Sequence, residues 1–72
     1  MTKTEAAETM AMQIRVKARR NDRKVTLFMC VEMVSEQAKY PSVPGSELHR
    51  AACIANPRTV FAAVKAQEAA RS

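Results

Sequence analysis

Apolar residues recur at every third or fourth position near the start of the chain, which is the spacing of one face of an α-helix. The members of this face are Ala7, Met10, Ala11, Ile14 and Ala18. The spacing predicts a helix over residues 4–20, with Thr4 as its N-cap and acidic side chains in its first turn. Residues 12–18 also alternate between apolar and basic side chains, which is strand spacing, so a strand stays open there as the alternative.

A second apolar segment predicts a helix from Arg23 to Ala38, with Asn21 and Asp22 ending the first helix and capping the second. Its apolar residues lie almost all round the helix, as in the central helix of a small bundle. They are Val25, Leu27, Phe28, Met29, Cys30, Val31, Met33 and Val34. We therefore expect residues 23–40 to form the centre of the fold.

Two shorter helices are predicted in the last third of the chain, after a loop over residues 39–45 that contains two prolines and the single glycine. Ser46 is expected to cap the first of them. The last helix is predicted to begin at Asn56 and Pro57 and to run to about residue 70. Asparagine is a good N-cap, and proline suits the first helical position. The whole pattern predicts an all-α bundle of about four helices.

Length and composition limit the classes of protein. The 72 residues make one small domain, and 47% apolar with 26% charged residues is globular composition. A domain of this length buries only about 60% of the surface of its unfolded chain, so its core is thin. We therefore do not expect an active-site cleft or an enzyme.

The net charge of +5 comes from one segment. Residues 15–24 hold six bases and one acid, whereas residues 1–14 sum to −1 and residues 25–72 to +1. The six bases are Arg15, Lys17, Arg19, Arg20, Arg23 and Lys24. Such a cluster points to an anionic partner, with nucleic acid first, and we expect these side chains to contact phosphates; an acidic protein surface is the other candidate partner.

The remaining chemistry points to no cofactor and no membrane. Cys30, Cys53 and the single histidine, His49, are one ligand short of a structural zinc site, so no metal or cofactor is expected. Both cysteines are expected to be buried, reduced core residues. No apolar run is long enough to span a bilayer or resembles a signal peptide, so we expect a cytoplasmic protein.

The last two helices suggest how a nucleic acid would be bound. Two short helices joined by a tight turn form a helix-turn-helix arrangement, in which small residues such as Ala51 and Ala52 allow the helices to cross closely. In the last helix, Val60, Phe61, Ala63 and Val64 form the predicted buried stripe. The opposite face is small and basic, so its backbone can approach base edges.

At these residues the sequence resembles the helix-turn-helix segment of bacterial and phage transcription regulators. The resemblance lies in E-L-H-R-A-A-C-I-A-N-P-R-T-V-F-A-A-V-K-A, covers about residues 46–70 and has a turn one residue longer than usual. It implies that the helix over 57–70 enters the major groove. The wing of the family, a β-hairpin after this helix, is not expected here, because the sequence stops at Ser72. The residues implied to contact bases are Arg58, Thr59, Ala62 and Lys65, and those implied to lie near phosphates are Ser46 and Arg50.

These expectations combine into a small, sequence-dependent regulator of transcription that binds double-stranded DNA in a bacterial or phage-infected cell and blocks or recruits polymerase. Isolated modules of this size bind weakly, so we also expect either a homodimer formed through the apolar N-terminal helix or cooperative binding to tandem sites. Two alternatives stay open. One is a small inhibitor or accessory factor that binds an acidic surface of a host protein; the other is a ribbon-helix-helix regulator with residues 12–18 as its strand.

Overall fold

The computed structural model describes residues 1–71, and they fold as four α-helices with no strand among them. The helices are α1 (Lys3–Arg20), α2 (Leu27–Lys39), α3 (Glu47–Ile54) and α4 (Pro57–Ala70). The predicted all-α bundle of four helices is thus confirmed. Because residues 12–18 lie inside α1, the strand that a ribbon-helix-helix protein needs is absent, and that alternative is wrong.

The first helix begins earlier than its pattern suggested. Thr2, not Thr4, is the N-cap of α1: its hydroxyl accepts a hydrogen bond from the Glu5 N–H at 3.1 Å. The Thr2 N–H in turn donates to the Glu5 carboxylate at 2.9 Å. This reciprocal capping box satisfies two backbone donors at once, which a cap at Thr4 would not.

The second helix begins four residues later than predicted, because the end of α1 is a Schellman motif. Asp22 adopts a left-handed conformation, with φ of 52°. The Arg23 N–H donates to the Ala18 carbonyl at 2.8 Å, and the Asp22 N–H donates to the Arg19 carbonyl at 3.1 Å. The chain then leaves the helix and buries Val25 before the extended Thr26 caps α2.

The core is centred on α1. Among the described residues, six of the thirteen buried apolar ones belong to α1 and two, Cys30 and Val34, belong to α2. The expectation that α2 is the central helix is therefore wrong: it buries one face, while Leu27, Phe28 and Val31 are exposed. The many alanines on the buried face of α1 explain the difference, because small side chains let several helices pack closely on it.

The same packing removes the dimer surface predicted from the sequence. The apolar face of α1 that was expected to bind a second copy lies inside the fold; Met10 and Ala11 are 0% exposed. The prediction that both cysteines are buried is wrong for one of them. Cys30 is buried, which raises the pKa of its thiol, but Cys53 is exposed because Ala51 and Ala52 take the inward positions of α3.

The last two helices do not pack on each other. Both α3 and α4 pack against α1 and α2, yet no Cα atom of α3 lies within 8 Å of a Cα atom of α4. The two residues between them, Ala55 and Asn56, are both extended, which separates the helix ends. Ala51 and Ala52 are buried as small residues, but at contacts of α3 with α1 and α2 rather than at a crossing with α4.

The capping box gives a testable prediction for stability. Thr2→Ala removes the hydroxyl acceptor and is expected to lower the free energy of unfolding by about 1 kcal/mol. The Thr2 backbone N–H, which donates to the Glu5 carboxylate, and secondarily the Thr2 side chain hold the pKa of the Glu5 carboxyl below its ordinary value in the folded protein. This stabilisation is present above the ordinary pKa of a glutamate and is lost as the pH falls through the lowered value.

The measurement is urea unfolding of the wild type and of Thr2→Ala at neutral and at acid pH. The matched control is Thr4→Ala, since Thr4 lies within the first turn and makes no cap. Equal loss of stability in both variants would contradict the assignment.

Candidate nucleic-acid interface

The outer face of α4 is exposed along its whole length. Arg58, Thr59, Ala62 and Lys65, the residues that the resemblance implied to contact bases, are all exposed. The opposite side holds the helix on the fold, with Val60 and Val64 fully buried. Phe61 and Ala63, also predicted to be buried, are half-buried at the edge of that stripe. The four exposed residues thus share one open surface of small and basic side chains.

Two local features fix this helix. At its start, the Asn56 side chain accepts a hydrogen bond from the Arg58 N–H at 2.9 Å, and Pro57 occupies the first helical position. On the outer face, the Lys65 ammonium lies 5.1 Å from the centre of the Phe61 ring, a cation–π contact. Lys65 is therefore held along the helix, and its charge stays on the exposed side.

Near its C-terminal end, α4 is tied to α1 through Gln67. The Gln67 amide donates to the Glu8 carbonyl at 3.1 Å and accepts from the Arg15 guanidinium at 2.8 Å. The half-buried Arg15 is thereby oriented by α4 rather than left free in solvent. Gln67 is a positioning residue that the sequence analysis missed, and its only signal is a polar side chain at the edge of a buried helical stripe.

Beside this tie lies a shallow depression of about 570 Å³ between the end of α1, the segment that follows it and the end of α4. We call it the basic groove. Its charged lining residues are Arg15, Arg19, Arg23, Lys24 and Arg71, with Asp22 and Glu68 as the two acids. The groove therefore has an excess of three positive charges. Arg71 comes from the other end of the sequence and was not foreseen.

The cations of the groove are largely uncompensated. Within residues 1–71 the side chains of Arg19, Arg23 and Lys24 form no ion pair, and the Arg15 guanidinium donates its hydrogen bond to the neutral Gln67. Like charges gathered in a depression reinforce one another's potential and favour an anion there. Phosphate groups are the anions best suited to several arginines, because each guanidinium can donate two parallel hydrogen bonds.

The six bases of the sequence cluster do not all share this place. Lys17 lines a separate cavity of about 300 Å³ between α1 and α2, together with Glu32 and Glu36. Arg23 lies between the two cavities and lines both. Arg20 is exposed and lines neither of them. The helical turn divides the cluster in this way, since residues 15 and 19 share a face of α1 that residue 17 does not.

The two remaining candidates for phosphate contact lie elsewhere. The Ser46 hydroxyl caps α3 and accepts a hydrogen bond from the His49 N–H at 3.1 Å. Arg50 lines a third depression, whose lining also includes the acidic residues Glu5 and Glu47 and which is separate from the basic groove. The structure thus brings together four of the predicted phosphate contacts at the groove and leaves Ser46 and Arg50 apart from it.

Comparison with known proteins adds no relative: no protein-family model, curated protein or solved structure matches the chain. The part of the chain that the structure describes contains no helix able to cross a membrane. The fold and the surface together define a small all-α protein with a basic groove beside an exposed helix.

Proposed function

We propose that this protein binds double-stranded DNA, with α4 in the major groove and the basic groove on the phosphate backbone. The observation that supports it best is that one helix takes part in both surfaces: α4 exposes small and basic side chains along its outer face, and its C-terminal end contributes Glu68, followed by Arg71, to the basic groove. A double-stranded nucleic acid is the class of ligand that fits these two surfaces. A duplex offers base edges in its groove and phosphates along its rim.

The dimensions of α4 suit this role. Fourteen residues form a rod about 21 Å long. Ala62, Ala66 and Ala69 lie along its outer face and let the helix backbone approach base edges closely, where an alanine methyl can contact the methyl of thymine. Arg58 lies at the N-terminal end of the rod, from which helices commonly contact bases. We assign direct base contacts to Arg58, Thr59, Ala62 and Lys65.

The basic groove supplies affinity without sequence information. Arg19, Arg23 and Lys24 would displace counterions from the backbone, so binding should weaken steeply as salt is added. Arg15 and Arg71 lie where they can add to the same contact. None of this requires the packing of α3 on α4 that a helix-turn-helix has, because α4 is held in place by α1 and α2.

In the cell, this binding would regulate transcription by occupancy in the cytoplasm of a bacterium or of a phage-infected host. A protein of 72 residues that lies over a promoter blocks polymerase or contacts it directly. The alternative partner is an acidic surface of a host protein, which the same cations would also attract. Binding to a generic DNA duplex at low salt distinguishes these two functions, because a factor that binds only a protein surface should not bind the duplex.

The roles of the two surfaces are tested by paired substitutions. Arg58→Ala is expected to weaken binding to a selected site by about 1–3 kcal/mol and to relax the preference at one base pair. Arg19→Ala should instead weaken binding to all sequences alike and reduce the slope of log K against log salt by about one. Sites are first selected from a random pool of duplexes, and affinity is then measured by fluorescence anisotropy.

Arg50→Ala is the matched control, since Arg50 is also an exposed helical arginine but lines a depression that includes two acidic residues. It should leave both the affinity and the salt slope unchanged. If Arg58→Ala and Arg19→Ala behaved identically on selected and random duplexes, the division of roles would be wrong.

A further inference from the structure

The cavity of about 300 Å³ between α1 and α2 is distinct from the basic groove and shares only Arg23 with it. We call it the α1–α2 cavity. These two helices pack on each other less extensively than either packs on α3 or α4, which leaves the space between them. The volume is at the lower end of the range for ligand sites in proteins. The α1–α2 cavity is therefore of a size for a small molecule.

Each of the two helices lines the cavity with one face. Ile14 and Lys17 of α1 and its C-cap Asn21 are three and four positions apart, and the lining residues of α2 recur with the same spacing between positions 29 and 36. The Asn21 amide donates a hydrogen bond to the Lys17 carbonyl at 2.9 Å, which fixes the end of the α1 face. The lining is thus built mainly on regular helix.

The inner part of the lining is apolar. Ile14 is buried, and Met29 and Met33 are half-buried and pack against the core. Methionine side chains are flexible and polarisable, so they adapt to apolar groups of different shapes. The floor of the α1–α2 cavity is therefore suited to cover a short apolar chain.

The outer part of the lining carries charges of both signs. Lys17 on α1 and Arg23 in the segment after it are basic. Glu32 and Glu36 on α2 are acidic, and all four residues are exposed. Within residues 1–71 none of the four side chains forms an ion pair. The basic charges thus come from the α1 side and the acidic charges from the α2 side, and both remain available to a ligand.

The balance of these charges selects the class of ligand. Two bases and two acids give the rim no net charge, in contrast to the positive excess of the basic groove. A simple anion would be attracted by the α1 side and repelled by the α2 side. A zwitterion satisfies both sides, because Lys17 and Arg23 can donate hydrogen bonds to a carboxylate. Glu32 and Glu36, one helical turn apart, can accept them from an ammonium group.

We propose that the α1–α2 cavity binds a small zwitterion with a carboxylate at one end, an ammonium group at the other and a short apolar chain between them. An ω-amino acid and a short apolar peptide both belong to this class. The charged ends lie on the two sides of the rim, and the apolar chain lies on Met29 and Met33. This proposal does not rest on DNA binding, and it is tested without DNA.

Titration with 6-aminohexanoate at neutral pH tests the site, and hexanoate and hexylamine are matched probes that each lack one charged end. Binding is followed by NMR of protein labelled with ¹³C on its methionine methyl groups. The Met29 and Met33 signals should shift and saturate, while those of the buried Met10 and the exposed Met12 should stay in place. Hexanoate and hexylamine should each bind about tenfold more weakly, because each loses hydrogen bonds between charged groups.

The absence of saturable shifts of Met29 and Met33, or equal affinity for the three probes, would overturn the proposal. The acidic side is tested separately with Glu32→Gln/Glu36→Gln. In this variant 6-aminohexanoate and hexanoate should bind with similar affinity, because the charges that attract the ammonium group are gone. A purely structural effect would instead weaken both probes alike and would contradict the assignment. Glu47→Gln, an exposed glutamate outside the cavity, is the control and should change neither affinity.

The basic side is tested with Lys17→Gln, since Lys17 does not line the basic groove. The advantage of 6-aminohexanoate over hexylamine should shrink, because one partner of the carboxylate is lost. Arg20→Gln is the control: Arg20 is also an exposed base of α1 but lines neither cavity, so the advantage should stay the same. Equal effects of Lys17→Gln and Arg20→Gln would mean that net charge, and not the cavity, attracts the carboxylate.

Discussion

Reversing two charges of the basic groove, in the variant Arg19→Glu/Arg23→Glu, is expected to lower the affinity for generic duplex DNA about a hundredfold at low salt. Both side chains are exposed and make no ion pair within residues 1–71, so the fold should tolerate the change. Two phosphate contacts are lost and two repulsive charges are gained. The slope of log K against log salt should fall by about two, one for each contact removed.

The matched control changes the net charge by the same amount in the same segment. Lys17→Glu/Arg20→Glu alters two bases of the sequence cluster that do not line the groove. Its effect should be much smaller near 0.1 M salt, because only long-range attraction is lost and interactions between exposed charges more than about 10 Å apart are screened at that ionic strength. Fluorescence anisotropy with a labelled duplex at several salt concentrations measures both variants. Equal losses in the two would mean that total charge, and not the groove, determines binding.

Truncation of the core residue Met10 is expected to have the largest effect on stability. Met10 is 0% exposed and lies on the face of α1 that the other helices cover. Met10→Ala should cost about 2–5 kcal/mol, because it removes buried apolar surface and leaves a cavity. A domain of 72 residues has a total stability of roughly 4–11 kcal/mol, so the variant should lose a large part of it.

Met12→Ala is the control for this prediction, since Met12 is the same residue type two positions away but 56% exposed. Its cost should be within about 0.5 kcal/mol. Urea unfolding followed by circular dichroism compares the two variants with the wild type. Similar midpoints for Met10→Ala and Met12→Ala would contradict the placement of the core on this face of α1.

The sequence was sufficient for the elements whose signals are local. The helical spacing of apolar residues in α1 and the Asn56–Pro57 restart of α4 both act within one or two turns, and both predictions are confirmed. The start of α2 was placed wrongly because it depends on the left-handed conformation of Asp22, which nothing in the neighbouring pattern of apolar residues reveals. A nearly all-apolar segment likewise does not tell which of its faces is buried.

The candidate site also combines features that the sequence predicts with features that depend on tertiary packing. The exposed face of α4 follows from its periodicity, and Arg15 and Arg19 share a face of α1 because they are four residues apart. Arg71 and Gln67 contribute to the site because α4 packs on α1. Gln67 and its partner Arg15 are fifty-two residues apart in the sequence. The separation of α3 from α4 depends on how both pack against α1 and α2, so no pattern within residues 46–70 predicts it.

Titration of ¹⁵N-labelled protein with a duplex, followed by amide chemical shifts, tests the central claim most directly. The amides of residues 58–66 and 19–24 should shift together as the duplex is added, while those of Arg50 and of the outward face of α2 should stay in place. Absence of shifts at low salt, or shifts confined to α2 and α3, would contradict binding of DNA through α4 and the basic groove.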